Sequence, residues 1–131
     1  MPDIKEILDK NKTIAMVGVS KDPKKPSTIV MKYMQEYGFK VIPVNPRAKG
    51  EKIHGEEVFE KITDIKEKVE IVDVFRPSKE VYAIAEDAVK IGAKALWLQD
   101  NVINPEAGKF AEDAGLMVVM NDCMLRQHRQ L

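Results

Sequence analysis

The chain has 131 residues, 44% hydrophobic and 32% charged, which is enough for one domain with a real core and too little for two. Its 21 Lys and Arg are matched by 21 Asp and Glu, and a pI near 6.7 excludes a general nucleic-acid or polyanion binder, so any anion site has to be local. One cysteine excludes an intramolecular disulfide and a cysteine-based zinc site, and no apolar run is long enough to span a membrane.

The first residues, Met1-Pro2-Asp3-Ile4-Lys5-Glu6, alternate charge with apolar side chains instead of running from basic to apolar as a signal peptide does, so a cytoplasmic location is expected. Ile4, Ile7 and Leu8 predict a short helix over residues 3–10. Thr13-Ile14-Ala15-Met16-Val17-Gly18 is the first of five short apolar runs. Its continuous hydrophobicity suits a strand covered on both faces. Ser27 then precedes a helix with Ile29, Val30, Tyr33, Met34 and Tyr37 on one side, closed by Gly38. Lys40-Val41-Ile42-Pro43-Val44 is the second strand. Residues 45–68 are irregular, with Pro46, Gly50 and Gly55 around an edge strand at Lys52-Ile53-His54.

Ile71-Val72-Asp73-Val74-Phe75 is the third main strand. Ser78 opens a helix with Val81, Ile84, Ala85 and Ala88 at i, i+3, i+4 and i+7, closed by Gly92. Ala95-Leu96-Trp97-Leu98 follows, then a helix begun by Asn104-Pro105 and closed by Gly115, with Ala107, Phe110, Ala111 and Ala114 on one side. Leu116-Met117-Val118-Val119-Met120 is the last strand, and Asp122 caps a final cationic helix. Strand and helix alternate, which requires right-handed crossovers. The expected fold is a single Rossmann-like α/β domain over residues 1–131, a mainly parallel sheet of five to six strands with helices on both faces.

Such a sheet binds ligands outside the carboxyl ends of its strands, where the winding reverses. The first strand leads into Gly18-Val19-Ser20-Lys21-Asp22-Pro23-Lys24-Lys25-Pro26-Ser27, the second into Asn45-Pro46-Arg47, the third into Arg76-Pro77-Ser78 and the fourth into Gln99-Asp100-Asn101. Lys21, Lys24, Lys25, Lys32, Lys40, Arg47, Lys49 and Lys52 are offset in this region by Asp22, Glu36 and Glu51. A glycine turn, loop cations and a helix N-terminus together point to a phosphorylated ligand. G-x-G-x-x-G would need glycine where Ser20 and Pro23 stand, and the second strand ends in Asn45, not in an acidic ribose ligand, so NAD is disfavoured. A P-loop for a nucleoside triphosphate is absent too.

Gly18-Val19-Ser20, Asp22-Pro23, Pro26-Ser27, Pro43-Val44-Asn45-Pro46, Ile53-His54-Gly55, Val74-Phe75-Arg76, Trp97-Leu98-Gln99 and Cys123-Met124 resemble the small stand-alone CoA-binding proteins. That family is similar to the CoA-binding domains of the succinyl-CoA synthetase alpha subunit and of ADP-forming acyl-CoA synthetases. The resemblance implies that Gly18, Ser20, Lys21 and Ser27 meet the phosphates of CoA or an acyl-CoA, with Val19 and Lys25 of the same loop also counted among the cofactor-binding residues. Asn45, Pro46 and Arg47 would border the adenosine, Phe75, Arg76 and Pro77 the pocket wall, and Gln99 its far side. The family often has glycine where this chain has Asn101, a residue that tolerates left-handed backbone.

His54 and His128 have no Ser or Cys partner in sequence and read as structural or surface residues, and no metal spacing occurs. Asp73, inside an apolar strand, is a buried structural carboxylate or a general base. Trp97 belongs to the core or a pocket wall. Cys123, at a predicted helix start, is either a small buried hydrophobe or, if it faces the pocket, a thiol that forms a mixed disulfide with CoA. Full synthetases use a further domain with a phosphorylated histidine and an ATP-binding module, for which a single Rossmann-like unit has no room. Without a convincing acid–base pair, a non-catalytic carrier, sensor or subunit is expected, working as a homodimer or with a partner protein. A small NAD(P)-linked oxidoreductase is the alternative.

Overall fold

A computed structural model describes residues 3–131. Asp3 accepts from the Glu6 amide at 3.1 Å and caps α1 (Ile4–Lys10), whose Ile7 and Leu8 are buried. β1 (Thr13–Val17), α2 (Pro26–Glu36) and β2 (Lys40–Val44) follow. Two short strands, β3 (Lys52–Ile53) and β4 (Glu56–Glu57), come next, then β5 (Ile71–Val74), α3 (Val81–Lys90), β6 (Ala95–Leu98), α4 (Pro105–Asp113), β7 (Met117–Val119) and α5 (Met124–Arg129).

The main sheet has five strands in the order β2-β1-β5-β6-β7, all parallel. Alternation of side chains along each strand divides the core into two layers. Ile14, Met16, Ile71 and Trp97 pack with α1, α2 and α5 on one face, while Ala15, Val17, Val72, Val74 and Leu96 pack with α3 and α4 on the other. This is the Rossmann-like architecture expected from strands apolar on both sides. The chain moves outward from β1 to β2 and then returns past β1 to β5, so the winding reverses between β1 and β5.

Local details depart from expectation where tertiary bonds compete with simple periodicity. In α2 the buried stripe is Ser27, Val30, Met31 and Met34, whereas Ile29 and Tyr37 are 49% and 58% exposed. Ser78 does not cap α3. Its hydroxyl accepts the Ile103 amide at 2.9 Å, and a 3-10 turn over Ser78–Glu80 leads into the helix. Asn104 caps α4 as expected, accepting from the Ala107 amide at 3.0 Å. Asp122 lies one residue before the cap of α5, which is Cys123, and binds Arg126 and Gln127 instead of closing the helix.

The edge strand expected at residues 52–54 does not join the main sheet. β3 pairs with β4 in a separate antiparallel hairpin whose turn is His54 and Gly55, both at positive φ. Phe59 meets the free edge of β2 instead, donating its amide to Pro43 O at 3.0 Å and accepting from the Asn45 amide at 2.9 Å. Pro43 has no N–H to offer on that edge, so the ladder there is limited to this bridge.

Candidate functional site

A cleft of about 670 Å³ opens at the carboxyl ends of β1, β2 and β5, where the winding reverses. Gly18, Ser20 and Lys21 form one wall, Asn45, Pro46 and Arg47 a second, and Arg76 and Glu80 a third. Val17, Val44, Ile62 and Ile84 supply an apolar floor between α3 and the segment before β5.

Gly18 has φ +92°, and a Cβ built on it would lie 2.6 Å from Phe75 O and 2.8 Å from Arg76 Cδ. The space that glycine leaves is taken by the neighbouring strand end, so Gly18 is required for packing of β1 against β5 before any ligand is considered. Its amide donates to Val44 O at 2.8 Å, locking the start of the loop to β2.

Beyond Gly18 the loop is held by its own side chains. Ser27 is buried and its hydroxyl accepts the Ser20 amide at 3.0 Å, while Thr28 donates to Ser20 O at 2.5 Å. The Ser20 hydroxyl accepts the Asp22 amide at 3.0 Å, and Asp22 accepts that of Lys24 at 2.9 Å. Ser27 and the start of α2 therefore stand behind the loop and brace it, and Gly18, Ser20, Lys21 and Asp22 line the cleft. Asn45 has both ends of its amide engaged: Nδ2 donates to Val19 O at 2.9 Å and Oδ1 accepts the Arg47 amide at 3.0 Å. One side chain thus fixes the loops after β1 and β2 relative to each other.

Of the residues singled out in the sequence, Gly18, Ser20, Lys21, Asn45, Pro46, Arg47 and Arg76 come together in the cleft lining. Val19 is buried and presents its carbonyl to Asn45, Lys25 is an exposed residue at the cap of α2, and Pro77 is exposed before the 3-10 turn. Phe75 is half-buried against the core on the α2 side. Gln99 is also outside the lining: it is buried, and its Nε2 donates to Asp73 Oδ1 at 2.7 Å. Asp73 is fully buried, and burial pushes its carboxyl up to about 7.

The basic cluster is not one patch. Lys21 pairs with Glu51 at 2.7 Å, Lys49 with Glu60 at 3.4 Å, and Lys40, at the amino end of β2, with Glu56 at 3.2 Å. Arg76 binds Glu80 through two bonds, and this hydrogen-bonded guanidinium holds the Glu80 carboxyl below its ordinary range. Arg47 has no ion-pair partner among the described residues. Glu60, Lys61, Ile62, Ile84 and Asp87 also line the cleft and were missed. Three of them lie in the aperiodic segment before β5. Ile84 was assigned to the core, and its helical spacing gave no sign that it also borders the cleft.

Cys123 is half-buried against the core on the α2 side and is not among the lining residues. The half of its expectation that depended on facing the pocket is not supported by this placement. Trp97 is fully buried and donates Nε1 to Asp122 O at 2.9 Å. His54 bonds Thr28 O and His128 bonds the Tyr33 hydroxyl at 2.8 Å, both away from the cleft. Asn101 has φ +69°, the left-handed conformation expected for a glycine-like position. Among the described residues no helix is long and apolar enough to cross a membrane.

The family model described as "CoA binding domain" matches residues 12–129. An uncharacterized Bacillus subtilis protein, YneT, is 35% identical over 126 residues, covering 96% of this chain and 92% of that protein. A solved structure of a hypothetical protein from Pyrococcus horikoshii superposes with a TM-score of 0.94 at 44% identity, covering 98% of this chain and 89% of the other. The alpha subunit of an ADP-forming acetate–CoA ligase from Pyrococcus furiosus is 30% identical over 112 residues. These are 82% of this chain but 23% of that subunit, so the resemblance is to one region of a much longer protein.

Proposed function

The chain belongs to the CoA-binding domain family, and from that premise we propose that its cleft binds coenzyme A or an acyl-CoA as a non-catalytic carrier, sensor or subunit. The observation that carries this reading is the convergence of Lys21, Arg47 and Arg76 on one cleft at the carboxyl ends of β1, β2 and β5. CoA presents a pyrophosphate and a ribose 3′-phosphate, and three cations on three loops suit an anion distributed over two separated groups. The apolar floor of Val17, Val44, Ile62 and Ile84 gives a base or an alkyl segment a place to be desolvated.

Asn45 weighs against the dinucleotide alternative. In an NAD domain the residue ending the second strand is acidic and accepts from the ribose hydroxyls. Here both polar ends of that side chain already hold Val19 and Arg47. Asp73 is a carboxyl raised into the range of a general base, and it is buried away from the cleft lining. That arrangement supports binding without catalysis, with any chemistry supplied by a partner protein or a second copy of the chain.

Native mass spectrometry of the purified protein tests the reading. A mass increment matching CoA or an acyl-CoA, lost on denaturation, is expected after incubation with a mixture of CoA, acetyl-CoA and NAD. An NAD increment in its place would favour the oxidoreductase alternative.

A further inference from the structure

Arg76 is the one cleft cation bound through two hydrogen bonds to a carboxylate of the cleft itself. Nε donates to Glu80 Oε1 at 3.0 Å and Nη2 to Oε2 at 2.8 Å, the fork geometry with which arginine also takes a phosphate. Both side chains line the cleft. The Arg76 stem passes directly over Gly18, its Cδ 2.8 Å from the position of a Gly18 Cβ, so the guanidinium is tethered at the start of the loop after β1. We propose that Glu80 is an affinity-setting residue of this cleft, its carboxylate competing with a ligand phosphate for the Arg76 guanidinium. This deepens the CoA reading and rests on it.

Two features make the exchange feasible. Arg76 and Glu80 are 43% and 41% exposed, and a pair so open to water is worth little, so a phosphate bearing more charge displaces the carboxylate readily. Glu80 is also not stranded when Arg76 leaves. It precedes the first turn of α3, where the positive end of the helix favours an acidic side chain, and the charges of Lys79 and Arg47 also act on it. Ligand entry therefore swaps one anion for another on Arg76 without leaving a buried charge unpaired. The cost is a standing competitor inside the site, which lowers affinity for every phosphate ligand.

Calorimetric titration of CoA into wild type, Glu80→Gln, Asp87→Asn, Arg76→Ala and the Arg76→Ala/Glu80→Gln double variant tests this. Asp87 lines the same cleft and controls for loss of a negative charge in general. Glu80→Gln is expected to bind CoA about three- to tenfold more tightly, Asp87→Asn to gain less, and the Glu80→Gln gain to vanish when Arg76 is absent. Unchanged or weaker binding by Glu80→Gln, a gain matched by Asp87→Asn, or a gain that survives in the double variant overturns the competitor role while leaving CoA binding intact. Wild-type protein that gives no heat with CoA overturns the CoA reading and the inference with it.

Discussion

Gln99 Nε2 donates to Asp73 Oδ1 at 2.7 Å across the ends of β5 and β6, and the other oxygen of each side chain, Asp73 Oδ2 and Gln99 Oε1, is buried without a hydrogen-bond partner. Two buried acceptors without partners are costly, and a proton on Asp73 converts one of them into a donor. Burial is the leading cause of the raised carboxyl, and no charged neighbour offsets it. The folded-state pKa of about 7 lies above the ordinary value of 3.8. The stability that the neutral acid contributes is thus fully present below about pH 4, is lost as pH rises through 7, and changes no further above that. Asparagine supplies an N–H for Gln99 Oε1 and an oxygen for its Nε2 at every pH. Asp73→Asn should therefore be about as stable as wild type below pH 4, and its advantage should grow as pH rises to 7 and stay constant above. Urea unfolding at several pH values measures the difference, and equal pH slopes for the two proteins would show that Asp73 does not titrate in this range.

Gly18→Ala should destabilise the fold whether or not a ligand is bound. The added methyl meets Phe75 O at 2.6 Å in backbone at φ +92°. The left-handed conformation costs about 1–2 kcal/mol for an L-residue, and overpacking against a backbone carbonyl that cannot swing aside typically adds about 1–3 kcal/mol. Chemical denaturation of the ligand-free protein should show the sum as a lowered midpoint. A loss below about 1 kcal/mol would mean that the β1–β5 contact is looser than described.

The strand–helix alternation was legible because its causes are local: apolar runs of four to six residues, Asn104 before Pro105, and glycines at the helix ends. Segments fixed by distant partners were not. Ser78 reads as a cap in isolation, yet its hydroxyl is taken by the Ile103 amide of a loop 25 positions away. Ser27, a phosphate ligand by family resemblance, has its hydroxyl taken by the Ser20 amide. Gln99 follows an apolar strand as a pocket residue would, and only the fold brings it to Asp73. Lys21 and Arg76 lie in the cleft lining, but the carboxylates that hold them, Glu51 and Glu80, follow no local rule that the sequence displays.

Arg47 and Lys21 should separate by ligand. Arg47 follows β2, the strand end at which dinucleotide domains distinguish a bare ribose from a phosphorylated one, and no carboxylate forms an ion pair with it among the described residues. Arg47→Ala should weaken CoA roughly ten- to a hundredfold, the worth of a charge-assisted hydrogen bond at about 1.5–3 kcal/mol, and dephospho-CoA much less. Lys21→Ala should weaken both about equally through the shared pyrophosphate. Its effect should be smaller, because binding in the wild type already has to release Lys21 from Glu51 at 2.7 Å. Equal losses for the two ligands in Arg47→Ala would remove this arginine from the 3′-phosphate.

The central claim is that the cleft recognises CoA through its phosphates and does not serve NAD, and isothermal titration of the wild-type chain with CoA, acetyl-CoA and NAD at one salt concentration tests it most directly. The account predicts saturable binding of CoA and acetyl-CoA with affinities within about tenfold of each other, or ~1.4 kcal/mol, because the acyl end adds little to the phosphate contacts. It predicts no comparable binding of NAD. Tighter binding of NAD than of CoA would contradict it.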